Sequence, residues 1–304
     1  MNMSTLTRTQ RLGIALGLNI ALVAGQVVFG LVAGSVGLLA DAAHNLADVA
    51  AVIIALIAVR LSRRPPTPEH SYGYHRATIL AALANAVALM VVSAIIVFEA
   101  ISRLQNPEPV RAGIVVFVAL TAAVVNLAAA FVLYENRVDL NMRSALLHMA
   151  ADAGASLGVA AAGLVILVTG QFLWLDPAAS IAIAVLIGAE AWKLVRSAVD
   201  VLLEATPDDI DLVALRGAMT QVDGVADVHD LHVWSLSSGI RALSAHVVIE
   251  GQPSLEQAET IGRNVKATIE EAFTIAHATL ELETTTLDGT PSECTPDIER
   301  HIPD

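Results

Sequence analysis

Six apolar stretches, each about 20 residues or longer, occupy the first two hundred positions of this 304-residue chain, and they decide most of what it can become. They run approximately Leu12–Val32, Val36–Val59, Ala77–Ala100, Ala112–Leu133, Ser144–Thr169 and Trp174–Val199. At 1.5 Å per residue, about 20 residues cross a hydrocarbon layer of roughly 30 Å. Buried helices of a soluble core account for one or two such runs, not for six in succession. A secretory leader does not explain the first run either, because no small-residue cleavage site closes it and five more follow. We therefore expect an all-α bundle of six transmembrane helices over residues 1–204.

The loops orient that bundle. Arg8 and Arg11 precede the first run, Arg60, Arg63, Arg64 and Arg76 separate the second from the third, Arg137 and Arg143 the fourth from the fifth, and Lys193 and Arg196 close the sixth. The alternate connections hold only Arg103 and Arg111. By the positive-inside rule, both termini lie in the cytoplasm and the bundle sits in the inner cell membrane.

Charge divides the chain in the same place. Residues 1–204 carry 12 basic and 12 acidic side chains, whereas residues 205–304 carry 5 against 18 and so supply the entire net charge of −13. Such an acidic balance argues against nucleic acid as a partner. From Pro207 the pattern becomes a small αββαβ unit: an apolar-periodic helix, two strands joined at Ser237-Ser238-Gly239, a helix capped by Ser254, and an alternating strand ending at Thr284. We expect a cytoplasmic α+β domain of ferredoxin-like or metallochaperone-like build over residues 205–286. The polar, proline-bearing residues 287–304 read as a disordered tail. Cys294, the single cysteine, excludes an intrachain disulfide and a cysteine-based zinc knuckle.

Ionisable groups inside a bilayer are costly and therefore point to function. In the second run Asp41, His44 and Asp48 follow one another at i, i+3 and i+7 and share one helical stripe. In the fifth, His148 and Asp152 stand at i and i+4. Two runs thus each carry His-x-x-x-Asp. Two imidazoles and two carboxylates form an N₂O₂ set that suits tetrahedral Zn²⁺, and two ionised aspartates neutralise a dication. Small residues (Ala42, Ala43, Ala47, Ala151, Ala153, Gly154) flank both motifs and permit close helix approach. The competing reading, a pair of interhelical His–Asp hydrogen bonds, needs only one such pair.

Over approximately residues 10–285 the chain resembles the cation diffusion facilitator family of zinc transporters. The resemblance is carried by Ser35-Val-Gly-Leu-Leu-Ala-Asp-Ala-Ala-His-Asn-Leu-Ala-Asp48, His70-Ser-Tyr-Gly-Tyr-His-Arg76, Leu140-Asn-Met-Arg-Ser-Ala-Leu-Leu-His-Met-Ala-Ala-Asp152 and Val228-His-Asp-Leu-His-Val-Trp234. It implies a homodimeric secondary transporter, not an enzyme, that exports Zn²⁺ from the cytoplasm in exchange for protons. It assigns the transported ion to His44, Asp48, His148 and Asp152. Histidine at 44, where some relatives have aspartate, favours zinc over manganese or cadmium. The histidines are also expected to carry the exchanged protons, since imidazole titrates near pH ~6.5 and binds metal only when neutral.

Four further constellations stand outside this set. Asp41 guides ions at the outer side or orients His44, or else ties the bundle together. His70 and His75 form a transient zinc contact or a solvated loop; Thr67 and Tyr74 replace residues that relatives use for metal there. His229, His246, His277 and Glu283 form a regulatory zinc site in the cytoplasmic domain, which the resemblance also makes the dimerisation domain, or a hydrated polar sheet face. Arg76 and Glu204 are expected to pair and secure the membrane and cytoplasmic parts. The alternatives for the whole chain are a broader Cd²⁺, Co²⁺ or Fe²⁺ antiporter, or an uncoupled channel or metal sensor. An intramembrane metalloenzyme is disfavoured because the chain has no His-Glu-x-x-His and its four ligands leave no open metal position.

Overall fold

A computed structural model of the chain describes residues 8–134, 140–237 and 239–284, leaving aside the side chains of 8–16, 18, 129–134, 140–146 and 148. The proposed tail and Cys294 therefore lie outside the described residues. Six helices occupy the apolar half: α1 (Arg8–Ala33), α2 (Val36–Ser62), α3 (Ala77–Gln105), α4 (Ala112–Tyr134), α5 (Leu140–Thr169) and α6 (Leu175–Leu202). Among the described residues, α2, α3, α6 and the Met149–Thr169 part of α5 are long and apolar enough to cross a membrane. The described apolar stretches of α1 and α4 are shorter, Asn19–Ala33 and Ala112–Ala128. The outer faces of the bundle are apolar: Phe98 of α3, Phe117 of α4 and Val168 of α5 are among the most exposed large hydrophobic side chains described, as expected where lipid is the solvent.

The chain separates into two compact units, one of residues up to Ala58 with Ala81–Arg196, the other of Val59–Leu80 with Ser197 onward. In the first, α1 and α2 form a helical hairpin. Gly34 at φ +68° ends α1, and the amides of Gly34 and Ser35 bond back to the carbonyls of Leu31 and Gly30. This is a Schellman closure, which needs a residue tolerant of the left-handed region. Ser35 then caps α2, its Oγ accepting from the Leu38 amide at 3.1 Å. Asp176 of α6 accepts from Ser35 Oγ and from the amides of Val36 (2.9 Å) and Gly37 (3.4 Å). A carboxylate at a helix N-terminus satisfies orphan donors and complements the helix dipole. Gly37 eases this approach, because an added Cβ would stand 3.0 Å from Asp176 Oδ1, tighter than an ordinary contact.

The second unit contains α7 (Leu212–Thr220), β1 (Val225–Ser237), β2 (Ile240–Ile249), α8 (Leu255–Phe273) and β3 (His277–Thr284). The sheet order is β1-β2-β3, with β1–β2 antiparallel and β2–β3 parallel. Helix α8 makes the crossover that a parallel pair requires. It opens with a capping box between Ser254 and Gln257. Helix α7 is shorter than the apolar periodicity from Asp208 suggests, because Asp211 captures the amides of Val213 and Ala214 and starts the helix there. Leu215, Met219, Val228, Leu243, Val265 and Ile269 are fully buried in its core.

Strand β1 carries a device that the sequence pattern conceals. Val228 and Val233 are both buried, yet five residues of regular strand would place them on opposite faces. A bulge between His229 and His232, with Asp230 at φ +48°, inserts one extra residue opposite β2. It restores both valines to the core and leaves His229 opposite His246, and His232 opposite Ser244, on the other face.

Candidate metal centre

Helices α2 and α5 run antiparallel. Asp41 meets Ser156, His44 meets Asp152, and Gly37 lies against Val159, so numbers rise along one helix as they fall along the other. The contact is tight because the residues between are small: Ala40, Ala42, Ala153 and Ser156 are at most 3% exposed. Helix spacing aims the ionisable side chains into this seam. His44 Nε2 lies 3.0 Å from Asp152 Oδ1 and 3.9 Å from Asp48 Oδ2. The three groups offer ligand atoms within 4.8 Å of one another. Tetrahedral zinc, with bonds of about 2.0 Å, separates adjacent ligand atoms by about 3.3 Å. Side-chain shifts of up to about 1.5 Å would therefore bring all three onto one ion.

Burial deepens along this seam: Asp48 is 31% exposed, His44 12% and Asp152 3%. The fourth expected ligand, His148, stands one turn before Asp152 on α5; its side chain lies outside the described residues. One turn beyond the His44–Asp152 pair is a second polar layer. Asp41 Oδ2 accepts from Gln26 Nε2 of α1 at 2.6 Å and from Ser156 Oγ at 2.8 Å. Asn45 Nδ2 donates to Gln26 Oε1 at 3.0 Å. Gln26 and Asn45 played no part in the reading of the motifs, although an amide in the middle of an apolar run is a signal of the same kind as Asp41.

In the second unit a different cluster forms on the exposed face of the sheet. His229 and His246 are cross-strand partners, and their ring centroids are 5.1 Å apart. Glu283 of β3 bridges them, with Oε2 3.1 Å from His229 Nε2 and Oε1 2.7 Å from His246 Nδ1. Their ligand atoms also lie within 4.8 Å of one another. Glu281 and Asp230 stand 3.5 and 3.6 Å from His246 Nε2. His277, expected with this group, is placed elsewhere. It shares the sheet face but begins β3, six residues before Glu283, and its ring meets Tyr72 edge-on at 5.6 Å. Strand alternation put it on the right face but could not bring it the length of the strand.

On the same unit, His70 stacks on Tyr74 at 4.5 Å between ring centroids. His70 and His75 both line a cavity of about 390 Å³ with Arg76, Glu204 and Trp234. Neither histidine joins a cluster of three ligand-bearing groups among the described residues. Arg76 and Glu204 do meet, at 2.7 Å, but with 37% and 59% of their side chains exposed. An ion pair in such a position contributes at most about 1 kcal/mol. Asp227, beyond the apolar helices, is held below its ordinary titration range: partial desolvation pushes it up, but hydrogen bonding and charge from Arg216, at 2.9 Å, outweigh that.

Comparison with known proteins accounts for both units. The cation efflux transmembrane domain matches residues 12–203, and the cation efflux protein cytoplasmic domain matches residues 207–285. The cadmium, cobalt and zinc/H(+)-K(+) antiporter of Bacillus subtilis (strain 168) is 34% identical over 262 residues, covering 85% of this chain and 84% of that protein. The zinc transporter ZitB of Escherichia coli (strain K12) is 35% identical over 283 residues, covering 90% and 87%. The metal cation efflux system protein CzcD of Cupriavidus metallidurans is 34% identical over 275 residues, covering 90% and 85%. Among solved structures, the metal-bound C-terminal domain of the CzcD transporter from that genus shares 30% identity over 24% of this chain and 99% of its own, with a TM-score of 0.22. With a transmembrane helical region and a small cytoplasmic α/β domain each matched nearly end to end, the chain belongs to the cation efflux family of membrane metal transporters, the cation diffusion facilitators.

Proposed function

We propose that this protein exports a divalent cation, zinc before others, from the cytoplasm across the inner membrane in exchange for protons. The observation that carries the reading is the meeting of His44, Asp48 and Asp152 in the α2–α5 seam; His148, four residues before Asp152 in the sequence, is the fourth ligand we assign. Nitrogen and carboxylate donors in this ratio suit Zn²⁺, and the two aspartates cancel its charge so that no net charge is carried through lipid. A histidine ligand binds metal only in its neutral form, so a proton arriving from outside competes with the ion and releases it. Relatives named for cadmium and cobalt support a wider set of cargo ions with zinc among them.

Both termini face the cytoplasm in this reading, and the αββαβ unit joins two copies into a homodimer. The His229–His246–Glu283 cluster serves as a cytoplasmic zinc sensor. Potassium is a second counter-ion in our reading, favoured by the 34% and 33% identical relatives named as H(+)-K(+) antiporters. Reconstituted vesicles loaded with a zinc dye test the core of the proposal. Zinc flux should follow an imposed pH gradient and move protons the opposite way. Flux that ignores the gradient would falsify proton exchange.

A further inference from the structure

The ligands of one dication leave a carboxylate over. Asp48 and Asp152 neutralise a divalent ion between them, and Asp41 then remains as a third negative charge in the same seam. It is fully buried, as are Gln26 and Ser156, and Asn45 is 4% exposed. Its Oδ2 takes both hydrogen bonds, from Gln26 and Ser156, while its Oδ1 is buried with no hydrogen-bond partner. The residues hydrogen-bonded to it are neutral. A buried carboxylate in a membrane-spanning bundle is costly unless a cation compensates it. A purely structural tie between α1, α2 and α5 needs no charge, since an asparagine or serine would hold the same donors.

The surroundings are those of a hard-cation seat. Around Asp41 stand the Ser156 hydroxyl and the Gln26 amide, both bonded to Oδ2, and the Asn45 amide bonded to Gln26; a turn of either amide would offer a carbonyl oxygen in place of its NH2. Neither imidazole nor sulfur is among these four side chains. All-oxygen sets suit alkali and alkaline-earth cations, whereas zinc prefers nitrogen. One carboxylate among neutral oxygens balances one positive charge, so the set matches a monovalent ion better than a second dication. Asp41 and Ser156 also stand apart from the transport ligands, three residues from His44 on α2 and four from Asp152 on α5, about 5 Å along the axis, while Asn45 adjoins His44 and reaches back to Gln26. Because the helices are antiparallel, both steps lead towards the N-terminal end of α2.

We propose that Asp41, with Gln26, Asn45 and Ser156, seats the potassium ion exchanged for the exported metal, one helical turn from the metal ligands. This rests on the potassium reading above, in which the histidines carry the proton and potassium needs a place of its own. Seats one turn apart let the cation at Asp41 and the dication at His44 repel each other, so that arrival of one favours departure of the other.

The test uses the full-length protein in vesicles at a fixed pH gradient, with potassium replaced stepwise by choline, reading zinc flux and opposing flux of radiolabelled rubidium. Wild-type zinc flux should rise with potassium and be matched by rubidium moving the other way. In Asp41→Asn and Gln26→Leu the ratio of potassium-stimulated to proton-driven zinc flux should collapse, with rubidium flux lost. Gln26→Leu, which changes no charge, keeps the test available if Asp41→Asn fails to fold. Wild-type flux indifferent to potassium overturns the inference while leaving proton exchange standing. It is overturned too if the variants keep their potassium stimulation, or if they lose both components alike, which would make Asp41 a part of the metal site. If neither gradient moves zinc in the wild type, the exporter reading itself has failed.

Discussion

Among the described residues two histidine–carboxylate clusters form, built in opposite ways. In the α2–α5 seam the groups come from helical spacing, His44 and Asp48 four residues apart on α2 facing Asp152 on α5, pressed together by small residues. In the cytoplasmic unit they come from three strands, and His229 reaches His246 only because a bulge shifts the register of β1. The first cluster grades from 31% exposed at Asp48 to 3% at Asp152. The second is evenly part-buried, with side chains 16–24% accessible. In our proposal the graded set, sealed at one end, is the transport site and the evenly accessible set is the sensor.

Four experiments press on this contrast. The largest effect belongs to Asp152→Asn, which removes the charge from the 3.0 Å partner of His44 and leaves the dication without half its compensation. Zinc flux should drop by more than about 100-fold, beyond the roughly 10–100-fold cost of altering groups behind a metal ligand. Retained flux would remove the seam from the mechanism.

Asp230→Val should be next in size. Asp230 stands at φ +48° in the bulge, where a β-branched side chain costs about 1–2 kcal/mol. Thermal unfolding of the purified chain should show a lower midpoint, together with loss of zinc from the cytoplasmic cluster. An unchanged midpoint would mean that the left-handed residue does not hold the bulge.

Glu283→Gln sharpens the contrast from the other side. It should raise the zinc concentration that half-saturates the cytoplasmic domain by about tenfold, measured by calorimetry, and leave metal occupancy of the α2–α5 seam alone. Loss at both places would deny that the two clusters are separate.

The smallest effect concerns acid stability. Asp227 titrates lower in the folded chain than in the unfolded one because of Arg216. Its contribution is therefore complete above about pH 4 and disappears as the pH falls through the lower folded value. Arg216→Ala should raise the Asp227 titration midpoint, followed by carboxyl NMR, and weaken the chain near neutral pH by less than about 1 kcal/mol. A midpoint that stays put would assign the shift to other neighbours.

Much of this architecture could be read from order and spacing. Runs of about 20 apolar residues have few other fates than membrane-length helices. Helical periodicity places Asp41, His44 and Asp48 on one stripe whatever the partner helix is. The αββαβ order was equally plain from turn residues and the Ser254 cap. The reading went astray where strands set the distance: alternation put His277 on the face of Glu283 but not within reach of it. It also passed over Gln26 and Asn45, which gain meaning only when α1 comes to lie beside Asp41.

What the order of residues determined by itself is therefore the set of elements and the side each ionisable group faces, since these follow from local periods of 3.6 and 2. Only the tertiary structure decided which groups meet: Glu283 between two histidines, Asp176 on the start of α2, and Asp41 with one oxygen bonded and one bare. Those meetings depend on helix packing and strand register. They arise between residues tens of positions apart, where no local period reaches.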